Sequence, residues 1–320
     1  MKTPSLALLL SSLLPWTLYL TQGGAGVQTV GGRTGPAQQA FLLTPEQAEI
    51  LSHLSLVQLD DGNGGRCKTI RISGVNLQVV NGLGETASTN CLGNVIVGYQ
   101  EQSDFFITDR TGSHNLVVGA KNSYASYGGA VFAEDNFILE PYATVTGGQF
   151  NLASGSHATV AGGNSNNAQG ARSAVTGGAS NFADGFDAAI CGGNFNSATG
   201  TQSSICGGEG NVATGIQATV SGGRGNRAEG TYSVVSGGRS NRALGLAATV
   251  SGGGADDMGG VGPGNLASGD YATVSGGRLN EAAGVGSVVS GGEGNLAAQD
   301  LSTVSGGCGQ STSAACEHLP

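Results

Sequence analysis

The side chains best suited to acid–base or metal chemistry are scattered along this chain: His53, His114, His157 and His318. None of the four histidines has a sequence context typical of a catalytic triad. Cys308, Cys316 and His318 come closest to a cluster of metal ligands, yet their spacing matches no tetrahedral zinc motif. The residues therefore predict no catalytic residues, no metal site and no cofactor.

The six cysteines are the next candidates for chemistry, and their number suits an oxidising compartment. Proximity along the chain suggests three disulfides: Cys67–Cys91, Cys191–Cys206 and Cys308–Cys316. Cys191 and Cys206 are separated by 15 residues, which is also the period of a repeat in this chain. If the repeats stack, these two thiols face each other at about 4.8 Å, within the range that a disulfide can bridge.

Four arginines fall at matching positions of two consecutive repeats: Arg224, Arg227, Arg239 and Arg242. They could bind a sulfated or carboxylated polysaccharide. The alternative, which we favour, is that arginines pair with glutamates of neighbouring repeats, as Arg224 with Glu209 and Arg278 with Glu293. Because the whole chain has a formal net charge of −9, no nucleic-acid partner is expected.

These residues are positioned by a repeat that dominates the second half of the chain. Gly-Gly pairs begin at 147, 162, 177, 192, 207, 222, 237, 252, 276, 291 and 306. Nine of the ten intervals are 15 residues and one is 24, which indicates a nine-residue insertion at about 254–262. A fixed period of this kind is typical of a solenoid in which each repeat forms one coil. The 59 glycines favour a β architecture rich in turns over a helical bundle.

Aligned by this period, the repeats separate inward from outward positions. Val or Ile stands two residues before every Gly-Gly pair, and we expect this column, which includes Val145, to face inward between Thr144 and Thr146. Ala153 and its equivalents mark a narrow part of the coil. An asparagine column predicts a hydrogen-bonded structural ladder along the axis, formed by Asn151, Asn166, Asn181, Asn196, Asn211, Asn226, Asn241, Asn265, Asn280 and Asn295.

The chain preceding the repeats divides into two parts. Residues 1–25 have a positive start, an apolar stretch and small residues near Ala25, which is typical of a secretory signal peptide. An uncleaved membrane anchor is the less favoured alternative. We therefore expect a secreted or cell-surface protein with no stable membrane insertion after cleavage. Residues 26–93 are expected to form a cap, 94–310 the solenoid of about 14 coils, and 311–320 a C-terminal tail.

The cap is predicted to be a small α+β unit. Thr44-Pro45-Glu46-Gln47 has the pattern of a helix start, and the helix should run to about His53. A strand, a tight turn at DDGNGG and a second strand should follow. The apolar residues expected to be buried in this part of the chain are Ile70, Ile72, Val75, Leu77 and Val79.

Two further column patterns leave alternatives open. Phe186, Ile216 and Leu246 are spaced by 30 residues, as are Leu152, Phe182 and Val212. Facing outward they would form an oligomer interface, and facing inward they would thicken a thin core. Thr-Val-Thr and Thr-Val-Ser segments also stack into a partial array of hydroxyls similar to an ice-binding face, although residues such as Val234 and Cys191 interrupt it.

From Asn94 to Gln310 the chain resembles the head repeat of trimeric autotransporter adhesins, S-V-A-I-G-x-x-S-x-A-x-G. The segments NVIVG, NLVVG and TVTGGQFNLASG correspond, with Val145, Gly148, Asn151, Ala153 and Gly155 on the family's Val, Gly, Ser, Ala and Gly. The resemblance implies a left-handed β-roll head and a homotrimer. The repeat here is one residue longer, Gly147 replaces an apolar position, and neither a heptad stalk nor a membrane-anchor barrel follows in the sequence.

Together these patterns predict an all-β chain, a β-solenoid preceded by a small α+β cap. The expected function is that of a non-enzymatic, adhesin-like or structural rod that contacts surface glycans, matrix proteins or like molecules. One alternative is a dedicated binder of ice or of an acidic polysaccharide. A glycan-active lyase is less favoured because the coils lack clustered acids.

Overall fold

The computed structural model describes residues 43–254 and 263–320. The predicted signal peptide at 1–25 and residues 255–262 of the predicted insertion lie outside this part of the chain. The chain divides into two compact units, Met1–Gln78 and Val79–Pro320. Among the described residues, no helix is both long enough and apolar enough to cross a lipid bilayer.

Within residues 43–78, the described part of the first unit, the chain forms one helix and one hairpin, as the sequence predicts for the cap. Helix α1 (Pro45–Ser52) begins at a capping box, in which the Thr44 hydroxyl accepts from the Gln47 backbone and the Gln47 side chain accepts from the Thr44 backbone. Strands β1 (Leu54–Asp60) and β2 (Arg66–Ile72) pair antiparallel. Between them the Asp61 carboxylate accepts backbone hydrogen bonds, which lower the pKa of Asp61 and close the turn.

The prediction that apolar residues of this region are buried was wrong. Ile70, Ile72, Val75, Leu77 and Val79 are all exposed, with 72 % of the surface of Ile70 accessible. A two-stranded hairpin beside an eight-residue helix provides no second layer that could cover an apolar face. Alternation of apolar residues in a strand therefore did not suffice to identify a core.

The described residues of the second unit form 27 further strands, most of them two residues long. In chain order they are β3 (Val95–Val97), β4 (Leu116–Ala120), β5 (Ser123–Tyr124), β6 (Ala130–Glu134), β7 (Phe137–Ile138), β8 (Thr144–Val145), β9 (Leu152–Ala153), β10 (Thr159–Val160), β11 (Asn167–Ala168), β12 (Ala174–Val175), β13 (Phe182–Ala183), β14 (Ala189–Ile190), β15 (Ser197–Ala198), β16 (Ser204–Ile205), β17 (Val212–Ala213), β18 (Thr219–Val220), β19 (Arg227–Ala228), β20 (Val234–Val235), β21 (Arg242–Ala243), β22 (Thr249–Val250), β23 (Leu266–Ala267), β24 (Thr273–Val274), β25 (Glu281–Ala282), β26 (Val288–Val289), β27 (Leu296–Ala297), β28 (Thr303–Val304) and β29 (His318–Leu319).

These strands form two parallel sheets that wind together as a β-solenoid of about 13 turns, which confirms the predicted fold class. One sheet has 15 strands and runs from β3 through the even-numbered strands to β29, and the other has 12 strands, from β5 to β27. Each residue pairs with the equivalent residue one repeat later, as Val145 with Val160. The predicted tail at 311–320 contains β29, which continues the larger sheet by pairing with β28.

The inward positions are those that the repeat predicts. The column that starts at Val145 and the column that starts at Ala153 are fully buried in every described repeat. Thr144 is half-buried and Thr146 is exposed, because successive side chains of a strand alternate between the two faces. The core is therefore a narrow line of Val or Ile facing Ala.

The asparagine ladder is present, and it bonds mainly to the backbone. Each asparagine from Asn151 to Asn295 is buried, and its Oδ1 accepts the backbone N–H of the residue that follows in the column. Nδ2 of Asn211, for example, donates to the carbonyls of Gly207 and Gly223 at 2.9 and 3.0 Å. The ladder therefore satisfies backbone groups that a sharp turn would leave without partners.

Two glycine columns are required for different reasons. Gly148 has φ of +76°, and a Cβ there would lie 2.0 Å from the carbonyl oxygen of Gly163 in the next coil. Gly155 has no such φ, but a Cβ would lie 2.2 Å from the carbonyl oxygen of Gly170. Two other corners of each coil use the left-handed conformation without needing glycine, as at Phe150 (φ +59°) and His157 (φ +60°).

Candidate functional site

The four arginines lie on the outer surface in two adjacent columns. Arg224 pairs with Arg239 across neighbouring coils, and Arg227 in β19 pairs with Arg242 in β21. Glu229 contacts both Arg227 and Arg242, the latter at 3.7 Å. The structure therefore places the predicted basic residues side by side in two pairs, and Glu229 contacts both arginines of one pair.

The two inter-coil ion pairs predicted from the sequence are present. Arg224 lies 3.5 Å from Glu209, and Arg278 lies 3.4 Å from Glu293. All four side chains are more than 40 % exposed, so that each pair contributes only about 0–1 kcal/mol to folding. Since an exposed guanidinium can exchange a weak partner for a stronger one, these pairs leave the arginines able to bind an anionic ligand.

The predicted interface residues face outward. Phe186 and Ile216 are 46 % and 50 % exposed, and Leu246 is half-buried in the same column. The guanidinium of Arg172 lies 4.3 Å above the Phe186 ring and is held there by two 2.7 Å hydrogen bonds to Asp187. The inward alternative, in which these residues thicken the core, is therefore wrong for this column.

The outward residues that flank the Val column form a surface that we call the hydroxyl face. It consists of the Thr and Ser residues at two positions of the larger sheet: the first residue of a strand, as at Thr219, and the residue after a strand, as at Ser221. The first is half-buried and the second exposed, as at Thr249 and Ser251. Parallel pairing places equivalent hydroxyls in two lines along the sheet.

All six cysteines are free and exposed in the structure. Cys191 and Cys206 follow the paired strands β14 and β16 and stand in the same outward column. Partial burial and the neighbouring Cys206 thiol raise the pKa of Cys191. Cys67 and Cys91 belong to different units, and Cys308 and Cys316 occupy different columns of the solenoid. Of the three suggested disulfides, only Cys191–Cys206 has residues that the register places side by side.

Three of the four histidines contact other residues of the chain. His53 Nδ1 lies 2.9 Å from the Ser73 carbonyl oxygen, and the His157 ring packs 4.9 Å from the ring of Tyr142. His114 Nε2 accepts the backbone N–H of Asn81 at 3.2 Å. In the described ranges, no group of three or more His, Cys, Asp or Glu side chains is arranged to hold a metal ion.

An ion-pair cluster near the start of the solenoid was not anticipated from the sequence. Lys121 lies 3.0 Å from Asp104 and 3.1 Å from Glu134. Hydrogen bonds to both carboxylates hold the pKa of Lys121 above its usual range. The cluster fastens residue 104, which lies in the long segment between β3 and β4, to the repeats. Sequence reasoning missed it because this segment does not follow the 15-residue period.

The features that bear on function are therefore the outward-facing columns, which vary in residue type along a solenoid whose buried columns do not. The searches for similar proteins add no family to them: no protein-family model and no curated protein sequence matches the chain.

Proposed function

We propose that this chain is a non-enzymatic, adhesin-like or structural protein that is secreted or displayed at the cell surface. Its outward columns would contact surface glycans, matrix proteins or further copies of the chain. The observation that carries the proposal is the contrast between buried and exposed columns. Buried positions repeat Val or Ile, Ala and Asn, whereas the column of Arg224 also contains Gln149, Ala179 and Glu209.

Physical reasoning supports a role in presenting a surface. In a parallel solenoid each coil is hydrogen-bonded to the next by its backbone and by the asparagine ladder, and such an array resists bending. Outward side chains can change without disturbing this framework. The resemblance to the heads of trimeric autotransporter adhesins agrees with an adhesive role, and it suggests a homotrimer that uses the column of Phe186, Ile216 and Leu246.

A binding assay with the purified chain tests the proposal. We expect saturable binding to extracellular matrix or to cell surfaces, without turnover of the bound material. In the matched comparison, Arg224 and Arg239 are replaced by Gln in one variant and Arg278 in another. If binding depends on the arginine patch around Arg224 and Arg239, and not on any arginine of that column, the first variant loses it and the second retains it. Release of a product would instead support a lyase, and absence of saturable binding would refute an adhesive function.

Ice binding is the second candidate, and the hydroxyl face is the observation that favours it. Its two lines of Thr and Ser face outward but are incomplete, because Ala174, Ala189, Val234 and Val288 interrupt one line and Cys191 and Cys206 interrupt the other. Thermal hysteresis of the purified chain tests this function directly. A Thr219→Tyr variant should abolish the hysteresis if the face binds ice, whereas an Arg278→Gln variant should not affect it.

A further inference from the structure

The segment between β3 and β4 folds back onto the outer surface of the solenoid. At its tip, the Phe106 ring lies 5.2 Å from Phe137 and 6.0 Å from Phe150, and the Phe105 ring lies 5.5 Å from Phe150. All three contacts are edge-to-face, a favourable geometry for aromatic rings. The segment is fastened beside its tip by the contact of Asp104 with Lys121.

This arrangement leaves a cleft of about 510 Å³ between the segment and the first coils. Phenyl rings of Phe105, Phe106 and Phe150 form one wall together with Leu152, and Ser165 and Asn167 contribute polar groups. The volume falls within the usual range for small-molecule sites, about 300–1,000 Å³. Phe105 and Phe106 remain 69 % and 50 % exposed, so that much of the aromatic wall is open to solvent.

A polar group in the cleft is open to a ligand. Ser165 is exposed, and its hydroxyl donates to Oδ1 of Asn164 at 2.9 Å, which leaves the Ser165 oxygen able to accept a hydrogen bond. Asn167 also lines the cleft, but its Oδ1 is buried and therefore out of reach of a ligand.

We propose that the cleft binds one neutral sugar ring of a glycan chain. The face of a pyranose ring presents C–H groups, which are attracted to the electron-rich faces of phenyl rings, and its edge presents hydroxyl donors for the Ser165 oxygen. None of the residues that line the cleft is ionisable, which favours a neutral ring over a sulfated or carboxylated one. This inference deepens the proposed contact with glycans and rests on it, but it uses a different surface from the arginine columns.

The test measures binding of neutral oligosaccharides of glucose, galactose, mannose and N-acetylglucosamine to the full chain by saturation-transfer NMR and calorimetry. We expect Phe150→Ala to weaken binding of the preferred sugar at least tenfold. Phe195→Ala is the matched control, because Phe195 occupies the same left-handed column three coils away and does not line the cleft. A Ser165→Ala variant should weaken binding several-fold while leaving the circular dichroism spectrum unchanged, because it removes the exposed acceptor without altering a buried position.

Three outcomes would overturn the inference. The first is that no neutral oligosaccharide binds, and the second is that Phe195→Ala weakens binding as much as Phe150→Ala does. The third is that Phe150→Ala changes the solution mass, which would show that a second copy of the chain fills the cleft. Failure here is distinguishable from failure of the proposed function. If the cleft variants bind matrix normally and the variant at Arg224 and Arg239 does not, the adhesive function is supported and the sugar site is refuted.

Discussion

Replacement of one ladder asparagine by alanine tests whether the ladder holds the coils together. The Asn211→Ala change removes three hydrogen bonds. In one, Oδ1 accepts the backbone N–H of Asn226 at 2.9 Å. In the other two, Nδ2 donates to the carbonyls of Gly207 and Gly223 at 2.9 and 3.0 Å. At about 1 kcal/mol each, their loss amounts to about 3 kcal/mol. Asn211 is fully buried, so that water does not readily replace the lost partners.

Native-state hydrogen exchange is the appropriate assay, because a solenoid can open locally without unfolding as a whole. A local loss of about 3 kcal/mol corresponds to roughly a hundredfold faster exchange of the Asn226 amide and of its neighbours in adjacent coils. The urea midpoint should also decrease.

The matched control is Asn164→Ala, which makes the same chemical change at an exposed position outside the ladder. We expect this variant to change stability by less than about 0.5 kcal/mol. If the two variants exchange at the same rates, the ladder does not contribute to stability and the reasoning is refuted.

Three further predictions follow from buried or paired side chains. Ser203→Ala should stabilise the chain by about 1 kcal/mol in urea denaturation, because the buried Ser203 hydroxyl has no partner and alanine already occupies this column at 188 and 218; a decrease in stability would contradict this. Asp135→Asn should increase the free energy of unfolding by about 1–3 kcal/mol and so raise the thermal midpoint, because both side-chain oxygens of Asp135 are buried without partners. Asn also tolerates the observed φ of +52°. An unchanged midpoint would show that Asp135 has a partner in solution. Oxidation should join Cys191 to Cys206, so that Cys191→Ser lowers the urea midpoint only without reductant; equal midpoints under both conditions would exclude the disulfide.

The periodic part of the fold could be predicted because equivalent positions of successive coils have the same burial and the same neighbours, and therefore keep the same type of residue. Val145, Asn151 and Ala153 stand for columns whose burial the alignment of repeats identifies without any coordinates. The pairing of Arg224 with Glu209 follows for the same reason, because the period itself fixes which residues are stacked. A single 15-residue segment would not have supported these inferences.

The parts that sequence reasoning missed lack this redundancy. Phe105 and Phe106 occur once, in a segment without the period, and nothing in the pattern indicates that they pack on Phe150. The left-handed corners were also missed, because residues as different as Phe150 and His157 occupy them. In the hairpin, alternation suggested buried positions such as Ile70, but burial requires a second layer that the local sequence does not reveal.

The same redundancy determines how function can be assigned experimentally. Because each coil contacts mainly its two neighbours, a substitution at an outward position has no route by which to disturb distant coils. A loss of binding after Arg224→Gln can therefore be attributed to the lost contact, provided that a control such as Arg278→Gln retains binding. Buried columns offer no such separation, since replacing Asn211 weakens the framework on which every outward column depends. The outward columns are thus the surfaces where binding can be tested independently of folding.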